Sequence, residues 1–451
     1  MNINIKEVLF KTLLLLLLVS TPTLAGCSTN EVPEVTPPVI DEKGNEWIVY
    51  EVYPGLFDHG NAFNGIADRL DEISELGVNV IWLMPIYEQG IEKGIGSPYS
   101  IKDYKKVNED YGTLEDLKSL VSKAKAKDMM VILDWVANHS SWDNAWIENK
   151  DWYTQDANGN IISPAGFNWA DVADLNFSNR DMRDAMIDAM KYWVTEVGVN
   201  GYRCDYAEGV PGDFWKEAIS ELKEIKKDDL LMLAEGGKAE LLSYGFDFLY
   251  GWDFAYKLKD LYAGKISTSG LYETHRKEYE GLKEGQQRMR YSTNHDMSSD
   301  ESPIQSFKGE RGAMSAFVIS VSMGGSPMIY SSQEIGYDRP LSFFGPNVLD
   351  WNSNPSYTAE YKNVMSIYTS SDAMRKGAIK TYNTTDVVSI LRTSQNEEVL
   401  IMVNTKNETK EVKTPIEFAN GNAVNLLDKK TEILPSVIKL EPYEYGIWKV
   451  K

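Results

Sequence analysis

Met129-Met-Val-Ile-Leu133, running without a break into Asp134-Trp-Val-Ala-Asn138-His139, is the stretch on which the fold turns. Five apolar residues in a row have the composition of a parallel strand buried on both faces, and the polar residues that follow mark where such a strand leaves the core. Three later segments repeat the pattern. Gly201-Tyr-Arg203-Cys-Asp205 follows Val197-Gly-Val-Asn, Ala234-Glu235-Gly236 closes Leu230-Leu-Met-Leu233, and Thr293-Asn294-His295-Asp296 follows Arg288-Met-Arg-Tyr291-Ser. If the strands run parallel, the carboxylates Asp205, Glu235 and Asp296 and the histidines His139 and His295 converge on one side of a sheet.

Working outward, eight such runs can be traced: Ile48 to Val52, Val78 to Leu83, Met130 to Asp134, Gly201 to Asp205, Leu231 to Glu235, Phe246 to Leu249, Met289 to Thr293 and Pro327 to Tyr330. Between them lie amphipathic stretches, Ala67 to Leu76, Leu114 to Lys127 and Asp181 to Val197 among them, with apolar residues near three-four spacing and charges opposite. Alternation of buried strands and helices over this length predicts an α/β fold, a (β/α)8 TIM barrel. In such barrels the reacting residues stand at the C-terminal ends of the strands, where the four polar segments fall.

These four segments resemble the four sequence regions of the α-amylase family of glycoside hydrolases. The resemblance extends from about Tyr50 to Gly336 through Trp82-Leu-Met-Pro85, Ser97-Pro-Tyr99 with Asp103-Tyr104, Ala173-Asp174-Leu175-Asn176 and Gln333-Glu-Ile-Gly336. It implies Asp205 as nucleophile, Glu235 as general acid and then base, and Asp296 as a third carboxylate that binds and distorts the sugar. It implies also that His139 and His295 hydrogen-bond sugar hydroxyls and that Tyr99 is a stacking platform. The chain has only four histidines, so two in these segments is informative.

The residue types support that chemistry. Cleaving a glycosidic bond with retention needs one carboxylic acid to protonate the leaving oxygen and one carboxylate to meet the developing oxocarbenium ion. Arg203 lies two residues before Asp205, hence on the same strand face. It is placed to hold Asp205 ionised and is counted among the substrate-binding residues. Like charges crowded together resist simultaneous ionisation, which leaves Glu235 to keep a proton near neutral pH. Asp134 is read as a support of the site, and Cys204, between Arg203 and Asp205, as a packed thiol that points away from the cleft.

Two further expectations come with the resemblance. Asn138, Asp174 and Gly209 match positions through which the family often binds a structural calcium ion. Their oxygens are hard donors of the kind calcium takes, although Asn138 and Asp174 could equally hydrogen-bond the adjoining loop. No zinc spacing, phosphate loop or nucleophile-elbow motif is present in the sequence, and no organic cofactor is expected. Residues 140–175, with Trp142, Trp146, Trp152, Tyr153 and Trp169 among polar and glycine residues, match the family's inserted domain after the third strand, which the resemblance implies forms one wall of the cleft, with some of these rings in its own small core and one or two lining subsites.

Toward the N-terminus, Lys6 and Lys11 precede the short apolar run Leu13 to Val19, and Leu24-Ala25-Gly26-Cys27 resembles a bacterial lipobox. The expectation is a leader over 1–26, lipidation of Cys27 and a proline-bearing tether over 27–44, giving a protein anchored to a membrane of the bacterial cell envelope on its extracytoplasmic side. The barrel is expected over 45–369. Short alternating runs such as Val387 to Leu391, Val399 to Val403, Ala423 to Leu426 and Tyr445 to Val450 predict a C-terminal antiparallel β-sandwich over 370–451.

A net charge of −21 and a pI near 4.8 argue against nucleic-acid partners and leave a neutral glycan indifferent. Some positions depart from the family's commonest pattern: Pro98, Tyr99 and Ser100 at the innermost subsite, and Glu208 and Gly209 where many amylases carry lysine and histidine. The function expected is a retaining glycoside hydrolase that cleaves α-glucosidic bonds, most of all α-1,4 bonds in starch-type polymers or maltooligosaccharides. A transglycosylase or α-1,6-acting relative of the family is the nearest alternative. A glycan-binding lipoprotein without catalysis is the alternative from another class.

Overall fold

Eight short parallel strands close on themselves, each paired with its neighbours in chain order: β1 Val49–Val52, β2 Val80–Leu83, β3 Met130–Trp135, β4 Gly201–Cys204, β5 Leu231–Ala234, β6 Phe248–Tyr250, β7 Gln287–Arg290 and β8 Ser326–Tyr330, with β8 back against β1. The barrel is thus the (β/α)8 fold expected from the alternation of apolar runs. The computed structural model describes residues 47–283 and 285–451, so the leader, Cys27 and tether expectations lie outside the described residues. Among the described residues no helix is long and apolar enough to cross a membrane.

Side-chain alternation is suppressed in these strands because both faces are buried: Val80–Leu83 and Leu231–Ala234 carry no exposed position. Gly201 opens β4 at φ +149°, where a Cβ would lie 2.0 Å from the Leu231 carbonyl oxygen, so only glycine lets β4 approach β5 this closely. The surrounding helices are cut where the sequence signals it. Thr113 forms a capping box with Asp116 at the head of Leu114–Lys125, and the Asn179 side chain accepts from Met182 N at the head of Arg180–Tyr192.

Two elements differ from the sequence expectation. The helix expected over 67–76 is two shorter ones, Ala62–Asp68 and Leu70–Ser74, broken at Arg69. The Arg69 guanidinium turns inward there, 3.4 Å from Glu334 and 4.1 Å over the Trp351 ring. Strand β7 occupies Gln287–Arg290 instead of Met289 to Thr293. Its arginines are buried yet satisfied by side and main chain: Arg288 Nε donates to the Glu278 carbonyl at 2.6 Å, and Arg290 pairs with Glu278 and His275. A polar network of that kind hides a buried strand from any hydrophobic pattern. The Asn294 side chain instead caps a short helix, accepting from Met297 N, so His295 and Asp296 sit on its first turn.

After β3 the chain leaves the barrel as a small excursion whose ends pair antiparallel, His139–Ser141 with Val172–Asp174. Beyond residue 376 follow β9 Ala378–Thr381, β10 Val387–Thr393, β11 Glu398–Asn404, β12 Lys410–Lys413, β13 Asn422–Asn425, β14 Lys430–Ile433, β15 Val437–Leu440 and β16 Tyr445–Lys449. They form an antiparallel six-stranded sheet, β9-β10-β11-β16-β13-β14, and a two-stranded sheet, β12-β15. Leu400, Met402, Val412, Ile438 and Trp448 fill the core between the two sheets.

Candidate active site

The register of β3, β4 and β5 sets the floor of the site. Asp134 pairs with Arg203, and Arg203 with Leu233, so the arginine stands centrally at the carboxyl ends of three adjacent strands. Its guanidinium is wholly buried. Nη1 donates to Asp134 Oδ1 and to Asp205 Oδ1, both at 2.8 Å, and Nε donates to Tyr250 Oη at 3.0 Å. Nη2 lies 3.0 Å from Glu235 Oε2 as an ion pair without hydrogen-bond alignment. This corrects the expectation that Arg203 binds substrate: it lies beneath the cleft and holds carboxylates. Asp134 is likewise buried, accepting also from Trp82 Nε1 and Tyr99 Oη at 3.1 Å each.

Above this floor Asp205, Glu235, Asp296, Tyr99, His139 and His295 all line one cleft of about 550 Å³. The chain turns sharply after Asp205: Tyr206 adopts φ +40°, ψ +48°, left-handed values that a non-glycine residue seldom takes. That turn aims the Tyr206 N–H at Glu235 Oε2, 2.7 Å away. Cys204 is a buried thiol and does not line the cleft.

Burial and charge give the groups distinct protonation states. Burial raises the Glu235 pKa to about 7, with Arg203 opposing and the Asp205 and Asp296 carboxylates assisting. Asp205 is pushed up by burial to about 6, against the aligned Arg203 hydrogen bond. Of the two, Glu235 holds its proton more firmly. The histidines are split in the same way. Burial brings His139 down to about 4, so its imidazole is neutral. For His295 burial is outweighed by Asp296 and Glu51, which hold it up at about 9 as an imidazolium.

Glu51 was not singled out from the sequence, although a lone acid in an otherwise apolar strand was a usable signal. It is fully buried at the end of β1, with Oε1 accepting from His295 Nδ1. His295 Nε2 in turn shares a 2.8 Å hydrogen bond with Tyr99 Oη and lies 3.4 Å from Asp296 Oδ1. Of the walls, only the share of the insertion is expected from the sequence. Phe167 and Trp169 stack at 4.1 Å and 8° and meet Tyr206 edge-on, while Trp252, at the head of the helix Trp252–Tyr262, and Phe343 and Phe344, from a loop, lie outside the four segments. Of the tryptophans in the insertion, Trp169 alone lines the cleft; Trp142, Trp146 and Trp152 pack against the core.

Asn138, Asp174 and Gly209 do share a second, smaller cavity of about 430 Å³ between the excursion and the barrel. Asp174 there is half-buried, and burial raises its pKa, whereas neighbouring Asp213 is held low by Arg183. An amide oxygen, a carbonyl and an unneutralised carboxylate are hard donors, which fits calcium. Among the described residues no cluster of three His, Cys, Asp or Glu could hold a metal ion, so a soft-metal site has no support there.

With this geometry in place, comparison with known proteins is direct. A model of the alpha-amylase catalytic domain matches residues 44–396. The chain is 27% identical over 375 residues, 77% of its length, to "Alpha-amylase 2" of Dictyoglomus thermophilum, and it spans 65% of that relative, less than two thirds. It is 24% identical over 452 residues to the "Cyclomaltodextrinase" of Geobacillus thermopakistaniensis, covering 92% of this chain and 74% of that one. Among solved structures, the maltogenic alpha-amylase AmyB from Thermotoga neapolitana superposes with a TM-score of 0.80 at 26% identity, covering 90% of this chain and 98% of that chain.

The raised pKa of Glu235 links stability to pH. Its pKa of about 7 lies above the ordinary value of 4.5, so the folded state binds its proton more tightly than the unfolded chain does. That contribution is present below about pH 4.5 and is lost as pH rises through 7. Glu235→Gln, neutral throughout, is therefore expected to raise the melting temperature by about 2 °C or more at pH 8 and by much less at pH 4.5. Equal shifts at both pH values in a thermal melt would show that Glu235 is not held protonated by its surroundings.

Proposed function

The chain belongs to the alpha-amylase family of glycoside hydrolases, and from that premise we propose that it cleaves α-glucosidic bonds with retention, chiefly α-1,4 bonds in starch-type polymers or maltooligosaccharides. The observation that carries the reading is the sharing of one buried guanidinium by Asp205 and Glu235 at the ends of adjacent strands. Two carboxylates on a single fork favour the close spacing of about 5–5.5 Å used in retaining cleavage over the wider gap that would admit a water in inverting cleavage. The similarity to proteins named alpha-amylase, maltogenic alpha-amylase and cyclomaltodextrinase supports this reading.

In the first half of the reaction Asp205 attacks the anomeric carbon as the glycosidic C–O bond breaks, and Glu235 passes its proton to the departing oxygen. A water then loses a proton to Glu235, its oxygen takes the anomeric carbon, and Asp205 leaves as carboxylate. Imidazolium His295 can turn its Nε2 donor, shared with Tyr99 Oη in this structure, to a sugar hydroxyl, neutral His139 can donate or accept, Asp296 binds the hydroxyls of the distorted ring, and the Tyr99 ring packs on the sugar face. Because Asp205 must be ionised and Glu235 protonated, kcat/KM should follow a bell in pH.

The test is a product profile on amylose, pullulan and isomaltooligosaccharides, read by chromatography and anomeric NMR. α-Anomeric maltooligosaccharides from amylose are expected. Products from pullulan or isomaltose alone would move the enzyme to α-1,6 bonds, and longer products formed only with added acceptor sugar would make it a transglycosylase. Glu235→Gln should retain oligosaccharide binding and lose about 10³-fold or more in turnover. Near-normal turnover in that variant would remove Glu235 from the acid's role.

Two accompanying proposals concern the surroundings of the site. A calcium ion held by the Asn138 amide oxygen, the Asp174 carboxylate and the Gly209 carbonyl would tie the excursion after β3 to the barrel. A chelator should then lower the melting temperature of the wild type by several degrees and leave Asp174→Ala unmoved; an unmoved wild type argues against the ion. Lipidation at Cys27 would anchor the protein outside the cytoplasm. Labelled palmitate should enter the wild-type protein in a bacterial host and not Cys27→Ser, and equal or no labelling of both would exclude the anchor.

A further inference from the structure

Strand β1 carries a single charged side chain, Glu51, and it is wholly buried. A carboxylate so placed is costly unless an opposite charge answers it. The strand register sets Glu51 beside Trp82 of β2 and Tyr330 of β8, neither of them charged. Glu51 Oε2 is buried without a hydrogen-bond partner, whereas Oε1 accepts from His295 Nδ1. The group's charge is therefore directed at one imidazole. That ring is held on three sides, by Tyr99 stacked at 5.6 Å, Phe343 edge-on at 5.2 Å and Trp82 edge-on at 5.9 Å.

The far nitrogen, Nε2, meets Tyr99 Oη at 2.8 Å and lies 3.4 Å from Asp296 Oδ1. Tyr99 Oη in turn donates to Asp134 Oδ2 at 3.1 Å, and Asp134 Oδ1 accepts from Arg203. A hydroxyl has one proton to give. With that proton on Asp134, Tyr99 Oη can only accept from His295, so both ring nitrogens must carry hydrogen, Nε2 for Tyr99 and Nδ1 for Glu51. Were Glu51 uncharged, the imidazole would hold a single proton, and nothing would fix which nitrogen bears it or which way the Tyr99 hydroxyl points. Burial opposes the charge on His295, Asp296 and Glu51 favour it, and Arg203 opposes it. Asp296 has a side chain 43% exposed and is assigned to sugar hydroxyls in the proposed reaction, whereas Glu51 has no other partner to turn to.

Resting on the hydrolase reading above, we propose that Glu51 is a positioning residue that sets the direction of the relay from His295 through Tyr99 to Asp134, so that His295 meets the sugar as a charged donor and Tyr99 keeps its proton on Asp134. Glu51 does not line the cleft and acts only through the imidazole it bonds. Its hold persists when substrate draws Asp296 and Nε2 away from their contacts in the empty cleft, because Nδ1 stays buried against it.

The relay and the reaction are read separately, on the full chain. In nitrogen NMR spectra of histidine-labelled protein, assigned against His295→Gln, wild-type His295 should carry two ring protons at about pH 7 and Glu51→Gln, which keeps the shape and removes the charge, only one. Turnover of maltotetraose by Glu51→Gln should fall by about 10- to 100-fold, the size of one hydrogen bond to a charged group. The ratio of variant to wild-type kcat/KM should then recover as pH is lowered from about 7 to about 5, where the imidazole takes its second proton from solvent; a packing defect would leave that ratio flat. Two protons on His295 in Glu51→Gln, or a flat ratio, would overturn the proposal. So would a single proton on wild-type His295, a measurement that needs no variant to fold. A wild type that cleaves no glucan would end the hydrolase reading instead, while the spectra still decide whether Glu51 sets the relay.

Discussion

A single buried cation organises this site. Arg203 is surrounded by Asp134, Asp205, Glu235 and Tyr250, none of which could be buried so near one another without it. Desolvating a carboxylate costs several kcal/mol, and removing one partner of a buried pair typically costs about 3–5 kcal/mol because the other charge is stranded. The arginine's planar fork suits this duty where a lysine would not, since it presents donors in several directions at once. Everything above the floor depends on this, because the orientation of Asp205 and the approach of Glu235 both refer to the same guanidinium.

One cation cannot neutralise three carboxylates, and that shortfall has a chemical use. Burial and mutual repulsion raise Glu235 and Asp205 together, with Glu235 the higher of the two. A second charge pair sits beside the first. Asp296 and Glu51 together hold the His295 imidazole protonated, whereas burial without such acids leaves His139 neutral. The two histidines, alike in the sequence, therefore present different hydrogen-bonding faces to the cleft. Tyr99 joins the two networks, donating to Asp134 while sharing its hydroxyl with His295.

The walls follow a different logic. Phe167, Trp169 and Tyr206 form one aromatic face, with the left-handed turn at Tyr206 serving both the ring packing and the hydrogen bond to Glu235. Phe343 and Phe344 stack on each other, and Phe343 meets Tyr99 and His295 edge-on. These residues come from loops of unequal length, which the barrel brings to one rim because every strand ends there.

Much of this was legible in the sequence for a definite reason. A strand buried on both faces must be apolar along its length, so Met130–Leu133 and Leu231–Ala234 announce themselves, and the polar residues that end them must lie at one rim once the strands are parallel. Asp205, Glu235, Asp296, Tyr99, His139 and His295 were therefore placed correctly in one cleft. Strand β7 was displaced in that reading because Arg288 and Arg290 are buried by partners distant in sequence. Arg203 was assigned to substrate for the same reason: its sequence neighbours reveal Asp205 but not Asp134, Glu235 or Tyr250. Glu51 and the walls outside the insertion join the site only through contacts between residues distant in sequence. The sequence by itself determined the order of strands and which residues end them, since periodicity and burial are local properties. Only the tertiary structure decided which charges meet, and with them the protonation states and the shape of the cleft, because electrostatic energy depends on distance in space and not on distance along the chain.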